Sequence, residues 1–263
     1  MVRFLRRLRG ECRKSGFIVV VLGPFAIAAL AVAMKRTHSH NAQLVRTSTI
    51  TGSIQVAADQ HATLLGWVLV STFVACGTAV ELGNGAWENS LAAAGSVRRL
   101  LLAKAAVAPL LVLFSEFVTV IVLRVASALV PDWSAGRETP HIATCIGSVI
   151  RALVVAEWIG FAACFSAVLS GSSLLAAVAA PALLTLPNAW TWTTVSWMTP
   201  GRWMTELMRP SVFGEGADYF GNAAGPADHS YVALVLLAVT GVLLALTVAW
   251  RCERPFERRT AGS

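Results

Sequence analysis

Two groups of residues have types and spacings that point to chemistry. The first is Glu81, Trp87, Glu88, Arg98 and Arg99, within the compact, mixed-charge 24-residue stretch ELGNGAWENSLAAAGSVRRLLLAK. Charges of both signs with an indole among them suit the docking of a partner, where buried aromatic and arginine anchors carry most of an interface's energy. The second group is Glu116, Arg124, Arg151 and Glu157, which interrupt otherwise apolar runs. A charge inside such a run is costly and usually faces a partner or a water-filled path. Counting about 1.5 Å per helical residue inward from Val130 and His141 places Glu116 and Arg151 only about 6 Å apart in depth, and Arg124 and Glu157 about 15 Å apart. The depths predict an intramembrane polar pair between Glu116 and Arg151.

Bond-making chemistry has less support. The SGSS run offers Ser172 and Ser173 as nucleophiles, but His38, His40, His61, His141 and His229 all fall in loops or at the edges of apolar runs. A Ser/His pair at membrane depth is therefore hard to build. No G-x-x-x-x-G-K-[ST] loop is present to cradle a nucleotide. Cys12, Cys76, Cys145, Cys164 and Cys252 form no CxxC pair or metal spacing and read as small packing residues. The sequence predicts no enzyme, no metal and no cofactor on this chain.

The elements that must position these residues follow from composition. With 56% hydrophobic and 13% charged residues, the chain falls well below the roughly 25% charge of a soluble domain. It reads as an all-α integral membrane protein with a single transmembrane domain over residues 1–263. Six apolar runs at 16–34, 62–80, 105–130, 141–169, 173–190 and 231–250 approach or exceed the roughly 20 residues that cross a bilayer as a helix. Their apolarity is continuous, which excludes the alternation of a β-barrel. The net charge of +7 does not point to nucleic acid, because the basic residues cluster at the ends of apolar runs.

Charge distribution sets the expected orientation. Residues 1–16, 81–104 and 251–263 hold thirteen Lys and Arg against six in the longer opposite loops, which predicts both termini and the 81–104 segment in the cytoplasm. Residues 1–15 place Met1, Phe4, Leu5, Leu8 and Cys12 at helical spacing against six basic residues, the pattern of an interfacial amphipathic helix. Within 81–104, helix formers over Trp87–Ala94 precede Gly95, suited to a left-handed helix stop, and Ser96, suited to cap the next helix. On the outer side, residues 35–60 form a loop, and Trp190, Trp192, Trp197 and Trp203 form an interfacial aromatic belt. Thr199-Pro200 opens a short helix over Gly201–Met208 there, which either anchors or gates.

The order of these elements, with Glu81, Trp87, Leu91, Ser96, Arg98, Arg99 and Lys104 in sequence, resembles the permease subunits of ABC transporters of the ABC-2 type. Trp87 and the Gly23-Pro24 pair in the first run resemble the subgroup that includes lantibiotic immunity and other peptide-antibiotic export permeases. The resemblance implies an exporter subunit in which 81–104 couples to a separate cytoplasmic ATPase that holds ATP and Mg. It implies a second permease in the working unit, an antibiotic, antimicrobial peptide or other amphipathic compound as cargo, and a role in resistance or immunity. Glu81, Trp87, Glu88, Arg98 and Arg99 are then the candidate coupling residues. Trp87 is expected to enter a groove on the ATPase, with Glu81 holding the base of the helix. The alternative is an ATPase-independent secondary carrier or a membrane scaffold, which the four charges within apolar runs would favour.

Overall fold

The computed structural model describes residues 48–61, 64–83, 85–129, 139–170 and 230–260, together with Leu175, Trp203 and Leu207. The interfacial helix expected at 1–15, the run at 16–34 and all of the run at 173–190 except Leu175 lie outside the described residues. Seven helices are described: α1 Ile50–His61, α2 Leu64–Gly83, α3 Ala86–Ala94, α4 Val97–Ala105, α5 Val107–Leu129, α6 Ile142–Ser170 and α7 Ser230–Thr260. No strand occurs among the described residues.

Two helical units are long and apolar enough to cross a membrane, the 33-residue stretch Val97–Leu129 and the 29-residue α6. Helix α6 matches the run expected at 141–169 to within one residue. It borders α1, α2, α4, α5 and α7 and so forms the axis of the bundle. Its composition permits this, because Ala152, Ala156, Gly160, Ala162, Ala163, Cys164, Ser166 and Ala167 are small and buried, and small residues let helix backbones approach closely.

The closest approach is at Gly160. A Cβ there would meet the Ala105 carbonyl oxygen at 3.0 Å and the Ala108 Cβ at 3.1 Å. That contact lies at the break between α4 and α5, where Ala106 ends one helix before Val107 begins the next. Pro109 supplies the cause, since it has no N–H to return to the Ala105 carbonyl and is tolerated only in the first turn of a helix.

Residues 50–60, expected to be an outer loop, instead form most of α1, packed on α5 and α6 with Ser53, Gln55, Ala57 and Ala58 buried. Cys145 Sγ donates to the Thr51 carbonyl at 3.2 Å, the Ser148 hydroxyl lies 3.2 Å from Gln55 Oε1, and Thr78 Oγ1 lies 3.6 Å from Cys164 Sγ. These contacts step along α1, α2 and α6 in the same order, so the three helices descend the bundle in parallel. The polar side chains that made 50–60 read as a loop are turned inward, where each of these bonds satisfies a group that burial would otherwise penalise.

Helix α5 shows the same inversion. Ser115, Glu116, Thr119 and Ser127 are buried, while Leu113, Phe114, Phe117, Ile121, Val125 and Leu129 are exposed. An amphipathic helix in water carries the opposite arrangement. Helix α7 packs on α6 through Trp158 Nε1, which donates to Thr240 Oγ1 at 3.0 Å. It runs to Thr260, ten residues beyond the end of the apolar run expected at 231–250. Trp203 and Leu207 are helical and only 7% and 3% exposed, within the same core as α2, α6 and α7. Trp203 thus anchors in the protein interior and not in a surface belt.

Candidate functional site: the α2–α3–α4 junction

Helix α2 continues past the apolar run expected at 62–80 and ends at Gly83. Its final turn carries Glu81, where the carbonyl end of the helix disfavours an acid. The chain then turns through Gly85, left-handed at φ 67°, into α3, and leaves α3 through Gly95 at φ 75°, whose N–H bonds to the Leu91 carbonyl at 2.9 Å. Both positions need a residue free of the Cβ penalty in that conformation. Ser96 caps α4, its hydroxyl accepting from the Arg99 N–H at 3.3 Å. The helix, stop and cap expected over 87–96 are thus all present, with α3 starting one residue earlier at Ala86.

The turns bring three side chains together. Lys104 Nζ lies 3.1 Å from Glu81 Oε2, with the two side chains 3% and 4% exposed. The same ammonium stands 5.9 Å from the centroid of the Trp87 ring. Lys104, in the last turn of α4, suits the negative end of that helix and also offsets the unfavourable position of Glu81 on α2. Around this group Leu91, Val97, Leu100 and Leu101 form a small core with Trp87, Ala94, Phe165 and Val168. That core seats α3 on α4 and on the far end of α6.

The expected coupling residues therefore divide. Glu81 and Trp87 meet through Lys104, and Trp87, half-buried, packs inward on its own chain. Arg98 and Arg99 are exposed on α4, and Glu88 is exposed on α3. The sequence marked Lys104 as a basic residue at the start of an apolar run and as a position of the family pattern, but not as the partner of Glu81. Its burial depends on the double turn at Gly85 and Gly95, which folds α4 back onto the end of α2.

What the junction presents outward is one face of α3. Gly85, Glu88, Asn89, Ala92 and Ala93 are exposed, and 85, 88/89 and 92/93 recur at the three-to-four-residue spacing of one helix face. The surface is short, nearly flat and centred on two alanines, with Glu88 and the exposed Arg98 and Arg99 as its charges. It is rigidly backed by the Glu81–Lys104 pair.

The four charges of the apolar runs are placed separately. Glu116 is 6% exposed, on the buried face of α5 with Val112, Thr119 and Leu123. Arg151 and Glu157 are half-buried on α6, and Arg124 is exposed on α5. No ion pair joins Glu116 to Arg151. Depth along the helices brought them to one level, but Glu116 lies on the buried face of α5 while Arg151 is half-buried on α6. No cluster of three or more His, Cys, Asp or Glu able to hold a metal occurs among the described residues.

Comparison with protein-family models, with curated proteins and with solved structures finds no match to this chain.

Proposed function

We propose that this chain is the permease subunit of an ATP-driven exporter of the ABC-2 type. It crosses the cytoplasmic membrane six times, with both termini and α3 in the cytoplasm, and works beside a second permease and a separate ATPase. It carries no nucleotide-binding motif, so the ATPase supplies ATP and Mg. The cargo is an antibiotic, an antimicrobial peptide or another amphipathic compound.

The observation that carries this reading is the junction itself. An exposed helix of nine residues is locked by a buried ion pair and an aromatic contact to the ends of α2 and α4. Helix α4 continues directly into a membrane-length helix. A push on α3 reaches α2 and α5 without passing through a flexible loop, which is what an external motor requires. The inversion of α5, apolar outside and polar within, supports a lipid setting with a polar interior.

Purification of the tagged chain from its native membrane tests the reading. It predicts a nucleotide-binding subunit isolated in equal amount, with ATP hydrolysis sensitive to vanadate. An intact membrane-extracted chain that brings no such subunit refutes it.

A further inference from the structure

Helix α6 has two glycines, Gly147 and the buried Gly160, and Gly147 stands four residues before Arg151. Gly160 is pressed against the α4–α5 break, whereas nothing lies within 4 Å of where a Gly147 Cβ would stand. Gly147 is one turn, about 6 Å, from Arg151 towards the start of the helix. No side-chain atom, Arg151's included, enters the space over Gly147, so an open notch lies one turn from the arginine on the same helix face. Ala143 and Thr144, exposed on the same face, continue the notch to the His141 end of the bundle.

Among the described residues Arg151 makes no ion pair or hydrogen bond. Glu157 on the same helix is six residues deeper, about 9 Å, and no ion pair joins Arg151 to Glu116. A guanidinium inside a membrane-length helix is costly unless an anion meets it. Its planar fork matches a phosphate with two parallel hydrogen bonds. Helix α6, at 29 residues, is about 43 Å long against a hydrocarbon core of about 30 Å. Shared between its two ends, about 7 Å of it stands outside the core at the His141 end, so Gly147 lies at the boundary of the core and Arg151 about one turn inside it, within reach of the headgroups for an arginine side chain. Val154 and Phe161, half-buried, extend the same face inward as an apolar bed.

We propose that Arg151 and the notch at Gly147 bind the phosphate of a phospholipid, with an acyl chain along Val154 and Phe161. The proposal rests on the membrane reading of α6 and not on the ATPase partner. Resistance of the chain to extraction by alkaline carbonate tests the membrane reading by itself.

The binding test uses purified full-length protein, stripped of lipid in detergent and titrated with phosphatidylglycerol while native mass spectrometry counts bound lipid. The parent protein should hold one tightly bound lipid. R151Q should weaken that site about tenfold or more, as loss of charge-assisted bonds implies. G147L keeps the charge, its Cβ meets nothing within 4 Å and its side chain fills the notch, and it should weaken binding similarly. R124Q removes an exposed arginine that has no notch, and it should bind like the parent. Unchanged binding in G147L, in a variant with the parent's thermal stability, would overturn the proposal. So would an equal loss in R124Q, which would mean nonspecific surface charge. Binding of inorganic phosphate without phosphatidylglycerol would overturn the lipid as its source.

Discussion

Lys104 Nζ and Glu81 Oε2 stand 3.1 Å apart, sealed from solvent at the ends of two different helices. Such a pair does little for stability when compared with well-packed apolar residues, but breaking it by removing one partner costs about 3 to 5 kcal/mol. Glu81→Gln should therefore lower the thermal unfolding midpoint in detergent sharply. The double variant Glu81→Leu with Lys104→Met should recover most of the loss. Additive damage from the two changes, read in a double-mutant cycle, would show that the pair does not act as a unit.

Trp87 contributes twice to the same junction, as a ring facing the ammonium and as a wall of the small core with Leu91 and Leu100. Trp87→Ala should cost about 1 to 2 kcal/mol, of which the ring–cation contact supplies about 0.5 to 1. Trp87→Phe should keep the packing and lose only part of the ring contribution. Unfolding midpoints that rank Phe no better than Ala would mean that the ring is not seated on Lys104.

Gly147 and Gly160 give opposite expectations for the same change on one helix. Gly160→Ala places a methyl group 3.0 Å from the Ala105 carbonyl oxygen. Overpacking of this kind costs about 1 to 3 kcal/mol, which outweighs the helix-propensity gain of up to about 1. Gly147→Ala meets nothing within 4 Å and should be neutral or stabilising by up to about 1 kcal/mol. Thermal unfolding of the two variants side by side checks the order.

The parts of this architecture governed by local rules were legible in the sequence. A glycine stop at Gly95 followed by a cap at Ser96 needs nothing beyond its neighbours, and the apolar run at 141–169 is long enough to define α6 alone. Other features depended on which way a side chain leaves its helix. Residues 50–60 read as a loop because Ser53 and Gln55 are polar, and a linear sequence does not show that α6 waits with Ser148 to bond Gln55. Trp203 read as a belt residue because membrane interfaces collect tryptophan, yet it fills the core. Glu116 and Arg151 were matched by depth alone, and a helix also has an azimuth. The face of α5 that buries Glu116 also buries Val112 and Thr119, while Arg151 sits beside the exposed Ile150.

Orientation is testable with single cysteines in a background lacking the native five. Ser53, within the stretch expected to be an outer loop, is fully buried and would not react. Thr144 is exposed at the opposite end of the bundle from α3. Thr144→Cys should react with an impermeant thiol reagent in intact cells, and Ala92→Cys only after permeabilisation. The reverse pattern would invert the topology.

On the proposed reading the outward face of α3 receives an ATPase. Ala93 is exposed on that face and takes no part in the junction behind it, so Ala93→Trp should leave insertion, abundance and unfolding midpoint unchanged while blocking a close-fitting partner. The decisive measurement is the amount of nucleotide-binding subunit that co-purifies from native membranes with the tagged parent and with Ala93→Trp. Equal stoichiometry with the parent and at least a tenfold loss with the variant, the factor that about 1.4 kcal/mol at an interface produces, is the predicted result. An ATPase bound equally by both, or by neither, would contradict it.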